Sequence, residues 1–367
     1  MADGNFLYLK LYNSIKDDIE RGKYAPGAKL PPEAELRKAF SISAITVKKA
    51  FTMLAEEGLV RRVPGRGTFV KGGEPEKAEE PAVARNPRLI GMILEHVATP
   101  YGLDMLYTID RLLSARGFKL CVRYSYADRD RETEEIEFLL SLGVAGLIIM
   151  PCHGNHYSTT ILRLIIDEFP VVLIDKKLEG IPVPSVRTDN EGAAACLVEH
   201  LYARGCRKIG LVSIDVSGAT SLAERVEGFH SKREALGLPE LPSCFVQTKR
   251  EIVDNKPEAA VVERIRAYLT QEASGIDGLV CTEYGIVSCL VAAADLESIA
   301  FGPDGLRVCC IDEDYLAPGG YTFTHVKQDE RTIAEKTVDM MEERLRSHEP
   351  TMEDCLVPAC FMQGRTS

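Results

Sequence analysis

From Arg88 onward one pattern recurs: a short, nearly continuous apolar run, then an amphipathic stretch of helical period. The runs are Leu89–Leu94, Lys119–Arg123, Gly146–Met150, Val171–Ile174, Lys208–Val212, Gly278–Cys281 and Leu306–Ile311, with helical stretches near residues 103–116 and 131–142. A strand that is apolar on both faces must be covered on both. Helices alternating with such strands supply the cover, so the pattern predicts an α/β fold with parallel sheets. Residues 88–367 exceed one comfortable doubly wound sheet, which predicts two lobes. Ligands of such sheets lie beyond the carboxyl ends of the strands, and for two facing lobes that place is the cleft between them.

The first 72 residues have a different character. The whole chain carries a net charge of −11, yet this segment holds 13 basic and 8 acidic side chains, so the remainder holds 31 and 47. A small basic head on a large acidic body suits a chain that meets a polyanion at one end, with phosphate repelled by the rest. Residues 72–87 hold three prolines, two glycines and four glutamates and read as a solvated, semi-extended linker. The expected domains are therefore 1–71, a linker at 72–87, and 88–367.

In the head, Leu7, Leu11, Ile15 and Ile19 recur every fourth residue up to Gly22, the pattern of one amphipathic helix. A second, short helix follows Pro31-Pro32 with Leu36 and Phe40 on its apolar side. Ser43 is the N-cap expected for a third, which buries Val47, Ala50, Phe51 and Leu54 and offers Thr46, Lys48 and Lys49 outward. Two helices about four residues apart, the second basic in its first turns, are a helix-turn-helix candidate. The runs 59–63 and 67–70, joined by Pro64-Gly65-Arg66, add a hairpin with a basic tip. Three helices and such a wing make a winged helix.

Three blocks in this order, GKYAPGAKLPPEAEL at 22–36, SAITVKKA at 43–50 and EGLVRRVPGRGTFV at 57–70, resemble the GntR family. The resemblance implies operator binding through double-stranded DNA contacts on the second and third helices and the wing. In this chain these fall on Arg37, Ser43, Thr46, Lys48, Lys49, Arg62, Arg66 and Gly67. Ala34 and Ala44 stand where the family often has arginine, which shifts the expected readout from guanine toward phosphate and thymine methyl contacts.

In the body, PVVLIDK at 170–176, SVRTDNEGA at 185–193, EHLYARGCRKIG at 199–210 and ERVEGF at 224–229 look like the effector domain of LacI-type repressors, itself similar to periplasmic sugar-binding proteins. Together, head and body are similar to the arabinose-repressor branch of the GntR family. The resemblance implies a small-molecule effector of the carbohydrate class, held by Tyr101, Asp175, Arg225, Thr282 and Asp312, with His153 reaching the cleft from its loop. Thr282 and Glu283 stand where asparagine and aspartate are usual. A nucleobase or another polar metabolite is the alternative effector, and an activator the alternative to a repressor.

Other chemistry finds little support. Eleven cysteines, none before Cys121 and none in a C-x-x-C pair, read as reduced, buried thiols rather than a disulfide framework or zinc site. His153 and His156 lack a neighbouring carboxylate or thiol, and Gly154 argues against a helix there, so no metal is expected. No phosphate-binding glycine loop, G-x-S-x-G or H-E-x-x-H occurs. Neither an enzyme nor a cofactor is expected. No apolar run reaches 18 residues, no secretory signal is evident, and the expected setting is cytoplasmic, as a homodimer on DNA away from any membrane.

Overall fold

The computed structural model describes residues 7–40, 42–63, 67–71, 86–97, 101–152, 158–215, 219–247, 257–312, 318–347 and 354–367. The chain divides into two compact units, Met1–Ala84 and Arg85–Ser367.

In the first unit, α1 (Leu7–Glu20), α2 (Glu33–Phe40) and α3 (Ala44–Glu56) pack around Leu11, Ile15, Leu36, Val47, Ala50, Phe51 and Leu54, all buried. The spacing that predicted α1 and α3 is the spacing that buries them. Strands β1 (Val60–Val63) and β2 (Gly67–Val70) pair antiparallel, Val60 opposite Val70. The segment before α2 joins them: Leu30 N donates to Thr68 O and Val70 N to Ala28 O. This closes the wing onto the helices, with residues 28–30 as a third rung beside β2. The wing tip, with Arg66, lies outside the described residues.

The second unit holds two sheets. The amino-terminal lobe contains β3 (Asn86–Leu94), α4 (Leu103–Ala115), β4 (Lys119–Tyr124), α5 (Arg129–Ser141), β5 (Val144–Ile149), α6 (Thr159–Ile166), β6 (Val171–Ile174) and β7 (Ser185–Thr188). The carboxyl-terminal lobe contains α7 (Asn190–Ala203), β8 (Ile209–Ile214), α8 (Thr220–Ala235), β9 (Ser243–Val246), α9 (Ala259–Ala267), β10 (Gly278–Cys281), α10 (Val287–Leu296), β11 (Arg307–Ile311) and β12 (Thr324–Lys327). The chain then returns: α11 (Glu330–Arg346) and β13 (Cys355–Val357) belong to the first lobe, β14 (Cys360–Met362) to the second. The described chain thus passes between lobes three times, at β7–α7, β12–α11 and β13–β14.

The sheets are built alike. Their strand orders are β13-β7-β6-β5-β3-β4 and β14-β12-β11-β10-β8-β9, so each strand of one has a counterpart in the other. All pairs are parallel except β12–β14. That edge departs from the expected parallel pattern because β14 comes straight across from β13 in the other lobe and enters at the carboxyl end of β12, Cys360 opposite Lys327, so it can only run back antiparallel. The central strands β5, β6 and β10 are buried along their whole length.

Three further expectations need correction. β3 starts at Asn86, inside the stretch read as linker, because Asn86 N donates to Gly143 O and its Cα registers with Val144. Helix α5 starts two residues earlier than its apolar pattern, because Asp128 caps it by accepting from Arg131 N. The cysteines are free, but only six are buried; Cys360 is exposed on edge strand β14.

Candidate functional site

In the head, the first turn of α3 is set by Ser43, whose Oγ accepts from Thr46 N (3.2 Å) and shares a hydrogen bond with Thr46 Oγ1 (2.8 Å). The cap leaves neighbouring amides at the positive end of the helix free, the arrangement that attracts phosphate. Arg37, in the last turn of α2, is exposed. Lys49 is also exposed, its ammonium 4.0 Å from the Tyr8 ring centroid, so α1 holds this cation in place without neutralising it. Lys48 lies on α3 and Arg62 on β1, where its Cα registers with Thr68; their side chains lie outside the described residues. Gly67 opens β2.

In the body, Asp175 and Asp312 occupy matching places. Each follows the third strand of its sheet, makes one further backbone bond (Asp175 N to Val186 O, 3.0 Å; Asp312 N to Val326 O, 2.9 Å), then turns left-handed with φ of 67° and 63°. Aspartate tolerates that conformation better than most residues, and the turn swings the carboxylate off the strand end. Asp312 is buried; its two oxygens accept from Gln328 N (3.2 Å) and Gln328 Nε2 (2.7 Å). Burial raises its pKa above the ordinary carboxylate value, and the Arg225 guanidinium opposes the rise. Asp175 is half-buried and lies near the Tyr101 hydroxyl.

Tyr101 brings these groups together. Its hydroxyl is buried without a hydrogen-bond partner among the described residues. Burial, then the carboxylates of Asp175, Glu330 and Asp312, hold the phenol well above its ordinary pKa. One side chain thus feels carboxylates from both lobes.

Arg225 is buried on α8, with Nε donating to Asn190 Oδ1 and Nη1 to the Thr282 carbonyl, both at 2.8 Å, and Glu283 3.9 Å away. Its place depends on Gly228 one turn later, where an added Cβ would sit 2.3 Å from the Glu191 carbonyl oxygen. α7 and α8 touch through their backbones there, which brings Arg225 to Asn190. Thr282 is fully buried and its hydroxyl donates to Ser213 Oγ (2.9 Å), so its contribution is the carbonyl that holds Arg225. His153 lies outside the described residues.

Several residues here escaped the sequence reading. Gln328, after β12, bridges the lobes: besides Asp312 it accepts from Thr188 Oγ1 at 2.6 Å. Glu330 Oε2 accepts from Gly102 N (2.8 Å) and Met105 N (2.9 Å), capping α4 from the far end of the chain. Burial raises its pKa despite those bonds. Glu224 on α8 receives Arg187 Nη1 on both oxygens (2.7 and 2.8 Å), with Lys177 at 3.5 Å, a second tie across the hinge. Lys176, next to Asp175, is buried in an ion pair with Glu95 and donates to Pro151 O (3.2 Å). Polar residues just after a strand were the signal available. It picked out Asp175 and Asp312 but passed over the residues after β12, whose Thr-His-Val-Lys has no apolar run.

Comparison with known proteins places both units. Residues 7–70 match the bacterial regulatory proteins of the gntR family. Residues 88–281 match the periplasmic binding proteins and sugar binding domain of the LacI family, and 198–367 a periplasmic binding protein-like domain. An arabinose metabolism transcriptional repressor of Geobacillus stearothermophilus is 27% identical over 227 residues, 60% of each chain. Among solved structures, a periplasmic binding protein/LacI transcriptional regulator of Alkaliphilus metalliredigens QYMF, complexed with D-xylulofuranose, shares 18% identity at a TM-score of 0.60 over 76% of this chain and 99% of its own. The Cra transcriptional dual regulator of Pseudomonas putida, in complex with fructose 1-phosphate, shares 17% at 0.62 over 77% and 100%. At these identities the structures establish the fold alone.

Proposed function

We propose, since the chain belongs to the LacI-type periplasmic-binding family and carries a gntR-family head, that it is a ligand-responsive transcriptional repressor. The head binds operator DNA, two heads of a homodimer reading a pseudo-palindrome, and a small sugar between the lobes sets operator affinity. Genes of carbohydrate use are the regulated class, as the name of the Geobacillus relative suggests. The chain acts as a binding protein, not an enzyme, and needs no cofactor.

The supporting observation is that Tyr101, Asp175, Arg225 and Asp312, drawn from both lobes, lie within electrostatic reach of one another. Carboxylates accept from vicinal hydroxyls, a guanidinium donates to them, and an aromatic face covers a sugar ring. On the head, Ser43, Thr46, Arg37 and Lys49 supply donors and positive charge at the start of the recognition helix. The ligand shifts DNA affinity only as far as it prefers one lobe arrangement, so closure must change how the heads are presented.

Fluorescence anisotropy of the full chain with operator-length duplexes tests this. Affinity should fall linearly with salt on logarithmic axes, and Arg37→Ala and Lys49→Ala should each reduce the slope by about one unit. Aldoses and purines are then added to the complex. Release by an aldose supports the reading, release by a purine alone replaces the ligand class, and salt-insensitive or absent DNA binding overturns the proposal.

A further inference from the structure

Four carboxylates gather around the Tyr101 hydroxyl and Arg225: Asp175, Asp312, Glu330 and Glu283. Among the described residues, the cations near them already have partners for part or all of their donors. Arg225 has committed Nε and Nη1 to Asn190 and Thr282, Lys176 is paired with Glu95, and Arg187 and Lys177 face Glu224.

The feature best suited to receive an anion is the amino end of α4, a helix of 13 residues that begins beside Tyr101. It is filled from within. Glu330 Oε2 takes the amides of both Gly102 and Met105, the donors a phosphate or carboxylate would use. Gly102 has a φ of 104°, a conformation that favours glycine, and an added Cβ would sit 3.3 Å from a Val97 methyl, so the loop is shaped to bring its amide to this carboxylate.

We propose that Glu330 is a specificity-determining residue: by occupying the anion-accepting end of α4 it makes the cleft select uncharged polyhydroxylated ligands and reject their phosphorylated and acidic counterparts. The inference rests on the sugar-sensing reading above and narrows it by charge. The fold itself does not dictate this choice, since neighbours of the same fold hold D-xylulofuranose and fructose 1-phosphate.

Two experiments on the full chain separate this inference from the reading beneath it. In calorimetry with aldopentoses and aldohexoses beside their phosphate esters and aldonates, the anionic form of any sugar that binds should be about 100-fold weaker, since like charges would be forced together. An ester or aldonate bound as tightly as its neutral parent overturns the inference and leaves sugar sensing intact. In thermal melting with about 20 mM inorganic phosphate, Glu330→Ala should gain about 2 °C or more over wild type, as linkage requires of a site binding only the folded chain. Glu330→Gln, which removes the charge and keeps one acceptor, should gain less in the same direction and covers the case in which the alanine variant fails to fold. A folded Glu330→Ala without the gain, or a wild type that gains as much, overturns the inference. If no sugar of either charge binds, the sugar-sensing reading falls while the phosphate measurement still decides the role of Glu330.

Discussion

The two lobes share a strand order and an aspartate at the same place, with the same left-handed turn, yet treat that aspartate differently. In the carboxyl-terminal lobe Gln328 clasps Asp312 with its backbone and side-chain amides. In the amino-terminal lobe Asp175 stands without such a clasp, and the charge beside it, Lys176, is used inside the lobe against Glu95. One lobe therefore presents a carboxylate held by two amides, the other a carboxylate that sits beside the Tyr101 hydroxyl. The first lobe also spends a buried ion pair on its own stability, and ion pairs of that kind are costly to break but contribute little when replaced whole.

The largest test of this contrast is Lys176→Met. It strands Glu95 in the core and should cost about 3–5 kcal/mol in urea unfolding, most of it recovered when Glu95→Leu is added. Failure of the double variant to recover would mean that the pair does more than neutralise itself.

A smaller effect separates the two aspartates. Gln328→Met removes the side-chain amide from Asp312 and the acceptor from Thr188 while leaving the backbone amide in place, and should cost about 2 kcal/mol. Asp175→Asn should change stability by less than about 0.5 kcal/mol, the range of substitutions that break no buried network. It should nonetheless weaken the effector by about tenfold or more, the worth of a hydrogen bond to a charged group. Equal destabilisation by the two would erase the distinction.

The finest test is titration. Burial raises Asp312 and Glu330, whereas Glu135, which receives Arg123 Nε and Nη2, is lowered by that pairing. The raised groups hold protons that the unfolded chain has released. Their contribution to stability is full below about pH 4 and is lost as pH rises through their folded values. Glu135 contributes in the opposite sense: fully above about pH 4, and lost as pH falls through its folded value. Carboxyl-carbon NMR should resolve Asp312 and Glu330 above the ordinary range and Glu135 below it. A common midpoint for all three would sharpen the contrast against burial as its cause.

Much of this architecture is written in local pattern. The stripe Leu11, Ile15 and the run Val171–Ile174 announce a helix and a strand because burial on one face or two leaves a periodic trace. Asp175 and Asp312 were nominated because each ends such a run, where the family that the chain resembles places its ligand contacts. Glu330 and Gln328 were not, because their partners lie far away along the chain: Glu330 caps a helix more than two hundred residues earlier, and no local signal encodes that reach. The edge strands β13 and β14 are three residues each, too short for alternation to register. Thr282 shows the reverse limit. Its position after a strand was read correctly from pattern, but which way its hydroxyl turns is decided by Ser213, from another strand.

The threefold passage of the chain between lobes has a mechanical consequence. Two of the passages end at once in a helix capped by its own aspartate, Asp189 for α7 and Asp329 for α11, and the first is tied to the third through Asp189 N and Val357 O. Three short tethers side by side resist shear and twist but allow bending about the line that joins them. Bending about that line is the motion the tethers leave easiest, and any ligand held between the lobes would act along it.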